Sequence, residues 1–191
     1  MSAAKLKSYL YPSAILLSIC LITSALLAYT NQITAPIIEK MALEKENEAR
    51  LQVVDTAKTF SEAKTVDLDD RTFTYYEAYQ DDSSPMAYIF ITDGPGYGGA
   101  VTVMTGITTE GELTGISILD LSETAGLGMN ATKPEFQAQY KTLSAASPVE
   151  VVKNPPNGNQ IQALTGATVT SRAVTTAVNT AITLFDMVKE G

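Results

Sequence analysis

The sequence predicts an α+β architecture, with a single N-terminal transmembrane helix and an extracytoplasmic domain built from an antiparallel sheet and flanking helices. Three observations predict it. No charged side chain occurs between Lys7 and Glu39. From residue 71, short runs rich in β-branched and aromatic residues follow one another, each bounded by turn residues. Residues 167–188 then carry an apolar stripe at helical spacing. A chain of 191 residues leaves room for one domain of ordinary size and a short extra element.

The first element is residues 9–30, YLYPSAILLSICLITSALLAYT. A bilayer core needs about 20 apolar residues at about 1.5 Å of rise each, and a helix satisfies its own backbone there. Tyr9, Tyr11 and Tyr29 stand near the ends, where an interfacial aromatic belt lies. Lys5 and Lys7 precede the span, and no basic residue follows until Lys40. The positive-inside rule therefore puts residues 1–8 in the cytoplasm and the rest outside a cell (inner) membrane crossed once. A cleaved signal peptide is the alternative, with Thr23-Ser24-Ala25 as small residues at a weak cleavage site. The apolar run continues through Leu26, Leu27 and Ala28, longer than a usual signal core, which favours a retained anchor. Cys20 reads as a small hydrophobe within the span.

Residues 31–60 read as a helical stalk. After Pro36, Ile37, Met41, Leu43, Leu51 and Val54 recur among alternating charges, the pattern of an exposed helix without a sustained heptad. Residues 61–191 form the outer domain. Lys5, Lys7 and Lys40 against Glu39 leave residues 1–40 at +2; the whole chain carries -8, so residues 41–191 carry -10. That sign argues against nucleic acid as a partner. Within the domain, TFTYYEAY, MAYIFIT, AVTVMTGIT and LTGISILDL predict strands, with a hairpin turn at Thr109–Gly111. Residues 133–143 predict a short helix with Pro134 in its first turn, and residues 153–160 a loop. Val174, Ala177, Val178, Ala181, Ile182 and Phe185 mark the buried stripe of the last helix.

Composition restricts the chemistry. There is no His, no Trp and one Cys. These zeros exclude Ser-His-Asp and Cys-His catalysis, His-ligated haem and His-bearing zinc sites. A single Cys excludes an intrachain disulfide, a Cys-x-x-Cys pair and a four-Cys cluster in one chain. Hydroxyls, carboxylates, backbone amides or a bound cofactor remain. Gly94-Pro95-Gly96-Tyr97-Gly98-Gly99 matches G-x-G-x-x-G in form, but a strand-like segment follows it where a dinucleotide fingerprint needs a helix. It reads as a glycine-rich turn between strands, open to close approach by a ligand.

Leu164-Thr165-Gly166-Ala167-Thr168-Val169-Thr170-Ser171 lies where loop becomes helix. Thr165 is a good N-cap residue, with Gly166 to Thr168 in the first turn. From composition alone, an ordinary capped helix is the simpler reading; an anion site on the unpaired amides is the other. Thr165–Thr168 (TGAT), followed by Val169-Thr170-Ser171, resembles the covalent-FMN attachment motif found in the FMN-binding subunits of two ion-pumping membrane complexes. These are the G subunit of the Rnf complex and the C subunit of the sodium-pumping NADH:quinone reductase. Glu123-Thr124-Ala125-Gly126-Leu127-Gly128 resembles the E-T-P-G-L-G segment of that family, and Gly96-Tyr97-Gly98-Gly99 its Gly-Tyr-Gly-Gly turn. The N-terminal span and acidic outer domain extend the resemblance over essentially the whole chain, and its length suits the Rnf member of the pair.

The resemblance implies FMN joined through its phosphate to Thr168, by a flavin transferase that uses FAD and a divalent metal. It implies that Thr165, Gly166 and Ala167 shape the phosphate turn. Glu123, Thr124, Gly126, Leu127 and Gly128 would line the flavin, with Leu127 against the ring and Glu123 and Thr124 near its polar edge; Tyr97 is a weaker candidate. The implied role is electron transfer in a complex coupling ferredoxin:NAD chemistry to Na⁺ or H⁺ translocation, beside other membrane and redox subunits. The complex is then the enzyme and this chain one carrier in it, with no catalytic residue of its own. The familiar covalent flavin bonds use His or Cys on the ring; with no His, and one Cys in the span, a hydroxyl is the remaining anchor. Two positions depart from the family pattern. Gln162 stands six residues before Thr168, where the motif has Asp, and Ala125 replaces Pro. A membrane-anchored flavin-binding sensor without a relay role, or an anchored interaction domain without flavin, are the competing readings.

Overall fold

The computed structural model describes residues 3–81 and 84–190. Met1 and Ser2 of the expected cytoplasmic N-terminus, the side chains of Lys5, Lys7 and Tyr9, and Asp82, Ser83 and Gly191 lie outside that description. The chain divides into two units, Met1–Glu44 and Lys45–Gly191. The described part of the first unit is helical and belongs to α1, which runs Ala3–Val53. Its side chains from Leu10 to Glu44 are exposed. Its hydroxyls are satisfied within the helix: Ser18 Oγ donates to Ala14 O (2.8 Å), Thr23 Oγ1 to Ile19 O (2.9 Å) and Thr30 Oγ1 to Leu26 O (2.9 Å). Such back-bonding lets polar side chains sit in hydrocarbon. α1 is long and apolar enough to cross a membrane.

The second unit is built on an antiparallel sheet. β1 (Thr59–Phe60) and β2 (Lys64–Leu68) pair end to end along one edge of β3 (Arg71–Tyr79). β4 (Pro85–Pro95), β5 (Ala100–Thr108) and β6 (Leu113–Asp120) continue as a meander. The β5–β6 turn falls at Thr109–Gly111 as predicted, closed by Gly111 N donating to Thr108 O at 2.9 Å, with Gly111 at φ +86°. After β6 come a 3₁₀ turn (Gly128–Thr132), α2 (Pro134–Gln137) and a second 3₁₀ turn (Ala138–Tyr140), so the helix predicted over 133–143 is broken into short pieces. β7 (Glu150–Val152) and β8 (Gln160–Gln162) pair in parallel, an addition to the expected antiparallel sheet. α3 spans Thr168–Glu190.

Strand alternation sends side chains to two faces. On β4, Phe90 packs towards α3, and Thr92 Oγ1 donates to Ala177 O at 2.8 Å. At Gly94 a Cβ would lie 2.0 Å from Ala173 O, so only glycine lets the α3 backbone lie directly on the strand. Ala87 and Ile89 face the other way, where Met104 and Ala78 meet Ala49, Val53, Val54 and Ala57. This revises the exposed stalk over 31–60. The helix ends at Val53, its last turns are buried on the sheet, and Thr59–Phe60 is already strand. Three charges on that last segment are matched within the domain: Glu46 Oε1 accepts from Arg50 Nη2 and Tyr76 Oη, each at 2.6 Å, and Lys45 Nζ donates to Leu119 O.

Candidate flavin site

The site is assembled from three loops. β4 ends at Pro95, and Gly96 N donates to Gly99 O (2.9 Å) to close a tight turn before β5 opens at Ala100. No helix follows that turn, so the rejected dinucleotide fingerprint is a β-hairpin. The second loop, Leu121–Leu127, returns over it. Glu123 Oε1 accepts from Tyr97 N (2.6 Å) and Gly98 N (3.3 Å). At Gly98 a Cβ would fall 1.9 Å from Ser122 O, so the two loops touch backbone to backbone. Glu123 therefore spends one carboxylate oxygen on the glycine-rich turn while it also lines the cleft.

The third loop carries the TGAT sequence. Ala167 N donates to Leu164 O (3.0 Å), making Thr165 and Gly166 the central residues of a β-turn, with Gly166 at φ +77°. Ser171 N then bonds Ala167 O (3.0 Å), the first helical bond of α3. Helix entry thus falls at Ala167–Thr168 and not at Thr165, which is not the cap. Ser171 Oγ ties the turn to the helix: it accepts from Leu164 N (2.9 Å) and donates to Ala167 O (3.0 Å). Thr175 Oγ1 donates to Ser171 O (2.9 Å) and pairs with Tyr140 Oη (2.7 Å), so the chain of bonds runs into the core. Burial pushes the Tyr140 phenol far above its ordinary range, against the lowering effect of its Thr175 bond, and it stays protonated. At the head of α3 the amides of Thr168, Val169 and Thr170 have no carbonyl partners within the helix.

The loops enclose a cleft of about 470 Å³. Tyr97, Glu123, Thr124, Leu127 and Gly128 line it, with Gly166, Ala167 and Thr168 from the third loop. Val169 and Thr170 complete it. Eight of the ten sequence-predicted residues are thus brought together. Gly126 is a turn residue at φ +75° whose carbonyl accepts from Asn130 Nδ2 (2.8 Å), and Thr165 opens onto neighbouring cavities instead. Val169 and Thr170 were not predicted, although they adjoin the motif. Thr170 is buried, and a Cβ on Gly128 would lie 2.6 Å from its hydroxyl, so the helix head and the second loop meet there. Of the hydroxyl-bearing residues on the first turn of α3, Thr168 is half-buried, whereas Thr170 and Ser171 are buried.

The volume is that of a small-molecule site. Leu127 (43 % exposed) and Val169 (49 %) offer apolar surface that lacks a protein partner, while the head of α3 offers amides and the partial positive charge of its dipole. The residues fit a ligand with a flat apolar part and an anionic end, as FMN has.

Comparison with known proteins agrees with that chemistry. Residues 96–183 match the family described as the FMN-binding domain. The chain is 33% identical over 163 residues to the G subunit of the proton-translocating ferredoxin:NAD(+) oxidoreductase complex of Clostridium ljungdahlii, covering 85% of this chain and 84% of the relative. It is 35% identical over 185 residues to the G subunit of the Na(+)-translocating complex of Acetobacterium woodii, covering 90% and 88%. Among solved structures it resembles the C subunit of the Na(+)-translocating NADH-quinone reductase of Parabacteroides distasonis. The TM-score is 0.57 at 17% identity, over 76% of this chain and 94% of the other, a likeness of fold. The NqrC of Shewanella oneidensis aligns with the same TM-score over 73% and 74%. The loops that close the cleft lie inside the matched FMN-binding domain, and the relatives extend over the rest: the chain belongs to the family of G subunits of ion-translocating ferredoxin:NAD(+) oxidoreductase complexes.

Proposed function

We propose that this chain is an electron-transfer subunit of a complex that couples ferredoxin:NAD chemistry to Na⁺ or H⁺ translocation. On this reading it carries FMN as a phosphoester on Thr168. The observation that carries the reading is the half-buried Thr168 at the head of α3, lining a cleft that Leu127 and Val169 also line. When bound, FMN supplies one- and two-electron redox chemistry, and attachment through phosphate leaves its ring unmodified. The chain's own residues bind and orient. The helix-head amides and the Leu164–Ala167 turn hold the phosphate end. Leu127 and Val169 cover apolar surface, and Glu123 fixes the turn from which Tyr97 lines the cleft.

Attachment needs a second protein. The Thr168 Oγ–P bond forms as the pyrophosphate bond of FAD breaks, AMP leaves, and the hydroxyl proton passes to a base. A threonine hydroxyl needs such a base, and without His this chain has no imidazole for the task. A flavin transferase with a divalent metal supplies it. α1 serves as the anchor in the cell membrane, with the N-terminus cytoplasmic, residues 9–30 spanning and the FMN-binding domain outside. Other membrane and redox subunits are the electron partners. A covalent tether keeps the cofactor at high effective concentration at that surface.

The test is flavin fluorescence of the denatured band from membranes that contain the transferase. The wild type and Thr176→Ala are expected to fluoresce and Thr168→Ala to be dark. A dark wild-type band refutes the covalent link. Relay is tested separately: complexes with Thr168→Ala are expected to lose ferredoxin:NAD activity, and unchanged activity would reduce the protein to a structural role.

A further inference from the structure

The geometry points to Lys153 as the cation that pairs with the phosphate at Thr168 and positions it during attachment, with Gln162 holding Lys153 in place. This rests on the reading of Thr168 given above. Thr168 and Gly166 line two cavities, the flavin cleft and a second of about 280 Å³ that contains Lys153. Thr168, the acceptor residue, therefore borders both. Among the residues lining either cavity, Lys153 is the sole cation and Glu123 the sole anion, and Glu123 is engaged by the amides of Tyr97 and Gly98. The Lys153 ammonium has no carboxylate partner among the described residues. In a segment that carries -10 overall, an unpaired lysine beside the acceptor has the sign an incoming phosphate needs.

The backbone of Lys153 is fixed from the motif side. It follows β7 directly, Ala163 N donates to Val152 O (2.8 Å), and Gln162 Nε2 donates to Lys153 O (3.3 Å). An ionised carboxylate at residue 162 has no proton to give that carbonyl. Gln162, which departs from the family motif, thus acts as a positioning residue for Lys153.

The experiment follows flavin incorporation into the full-length chain in detergent, with purified flavin transferase, FAD and Mg²⁺, by intact mass against time. Lys153→Gln is expected to slow the initial rate about fivefold, the scale of one exposed charge contact. Lys153→Glu is expected to slow it further and Lys153→Arg to restore it, the differences shrinking in high salt. Gln162→Ala is expected to slow it less than Lys153→Gln. A second readout does not involve the transferase. The ³¹P resonance of the fully loaded protein is expected to move in Lys153→Gln and to stay in place in Lys58→Gln. Wild-type rates for Lys153→Glu at low salt, or an unmoved ³¹P resonance in Lys153→Gln, overturn the proposal while leaving attachment at Thr168 standing. A wild type that accepts no flavin overturns both.

Discussion

Removal of one oxygen at Ser171 tests how the attachment turn is built. Ser171 is fully buried, and its Oγ is the acceptor for Leu164 N at 2.9 Å. Ser171→Ala leaves that amide without its partner, while Ala167 O keeps its bond from Ser171 N. An orphaned, partly buried amide costs about 2 kcal/mol, less any water that reaches it. For a domain of this size that lowers the melting midpoint by about 4–8 °C. Calorimetry of the full chain in detergent measures it, with exposed Thr176→Ala as the control. Flavin incorporation is expected to slow as well, because the Leu164–Ala167 turn loses its tie to α3. A midpoint equal to wild type would refute the network, since it would mean that the hydroxyl is not the partner of Leu164.

Other substitutions probe the remaining contacts. Gly166→Ala places a side chain at φ +77° with its Cβ 3.0 Å from Leu127 Cδ2, and is expected to cost about 1–3 kcal/mol of stability and to lower flavin occupancy, read by calorimetry and intact mass. A soluble fragment 45–191 is expected to fold and a fragment 61–191 to aggregate, because Ala49, Val53, Val54 and Ala57 cover the back of the sheet; gel filtration distinguishes them. Burial raises the Glu77 carboxyl pKa, but bonds from Lys64 and Tyr79 outweigh it and hold it below the ordinary range. A depressed carboxyl stabilises above its unfolded pKa and loses that contribution as pH falls through the folded one. The stability gap between wild type and Glu77→Gln, measured by denaturant titration, is therefore expected to shrink from pH 7 towards pH 3.

Much of this was legible because the signals were local. β3 to β6 each run eight or more residues rich in β-branched and aromatic side chains, and the α3 stripe repeats over more than three turns. β1, β7 and β8 have two or three residues each, too short for a period to show. The end of α1 read as solvated stalk because Glu46 and Arg50 flank its apolar residues. Only the fold shows those charges answering each other and Tyr76, with the guanidinium 3.7 Å above the ring. The cleft was legible for a similar reason: its residues fall in contiguous motifs. What the motifs did not reveal depends on contacts between distant segments. Glu123 reaches back to amides at Tyr97 and Gly98, and Lys153 shares a cavity with Thr168 across a loop that composition describes only as polar.

The central claim is that Thr168 carries the flavin. Its most direct test is peptide mapping by mass spectrometry of the full chain purified from membranes that contain the transferase. The account predicts one FMN phosphoester per chain, located on Thr168. A chain without FMN, or with FMN on another residue, would contradict it.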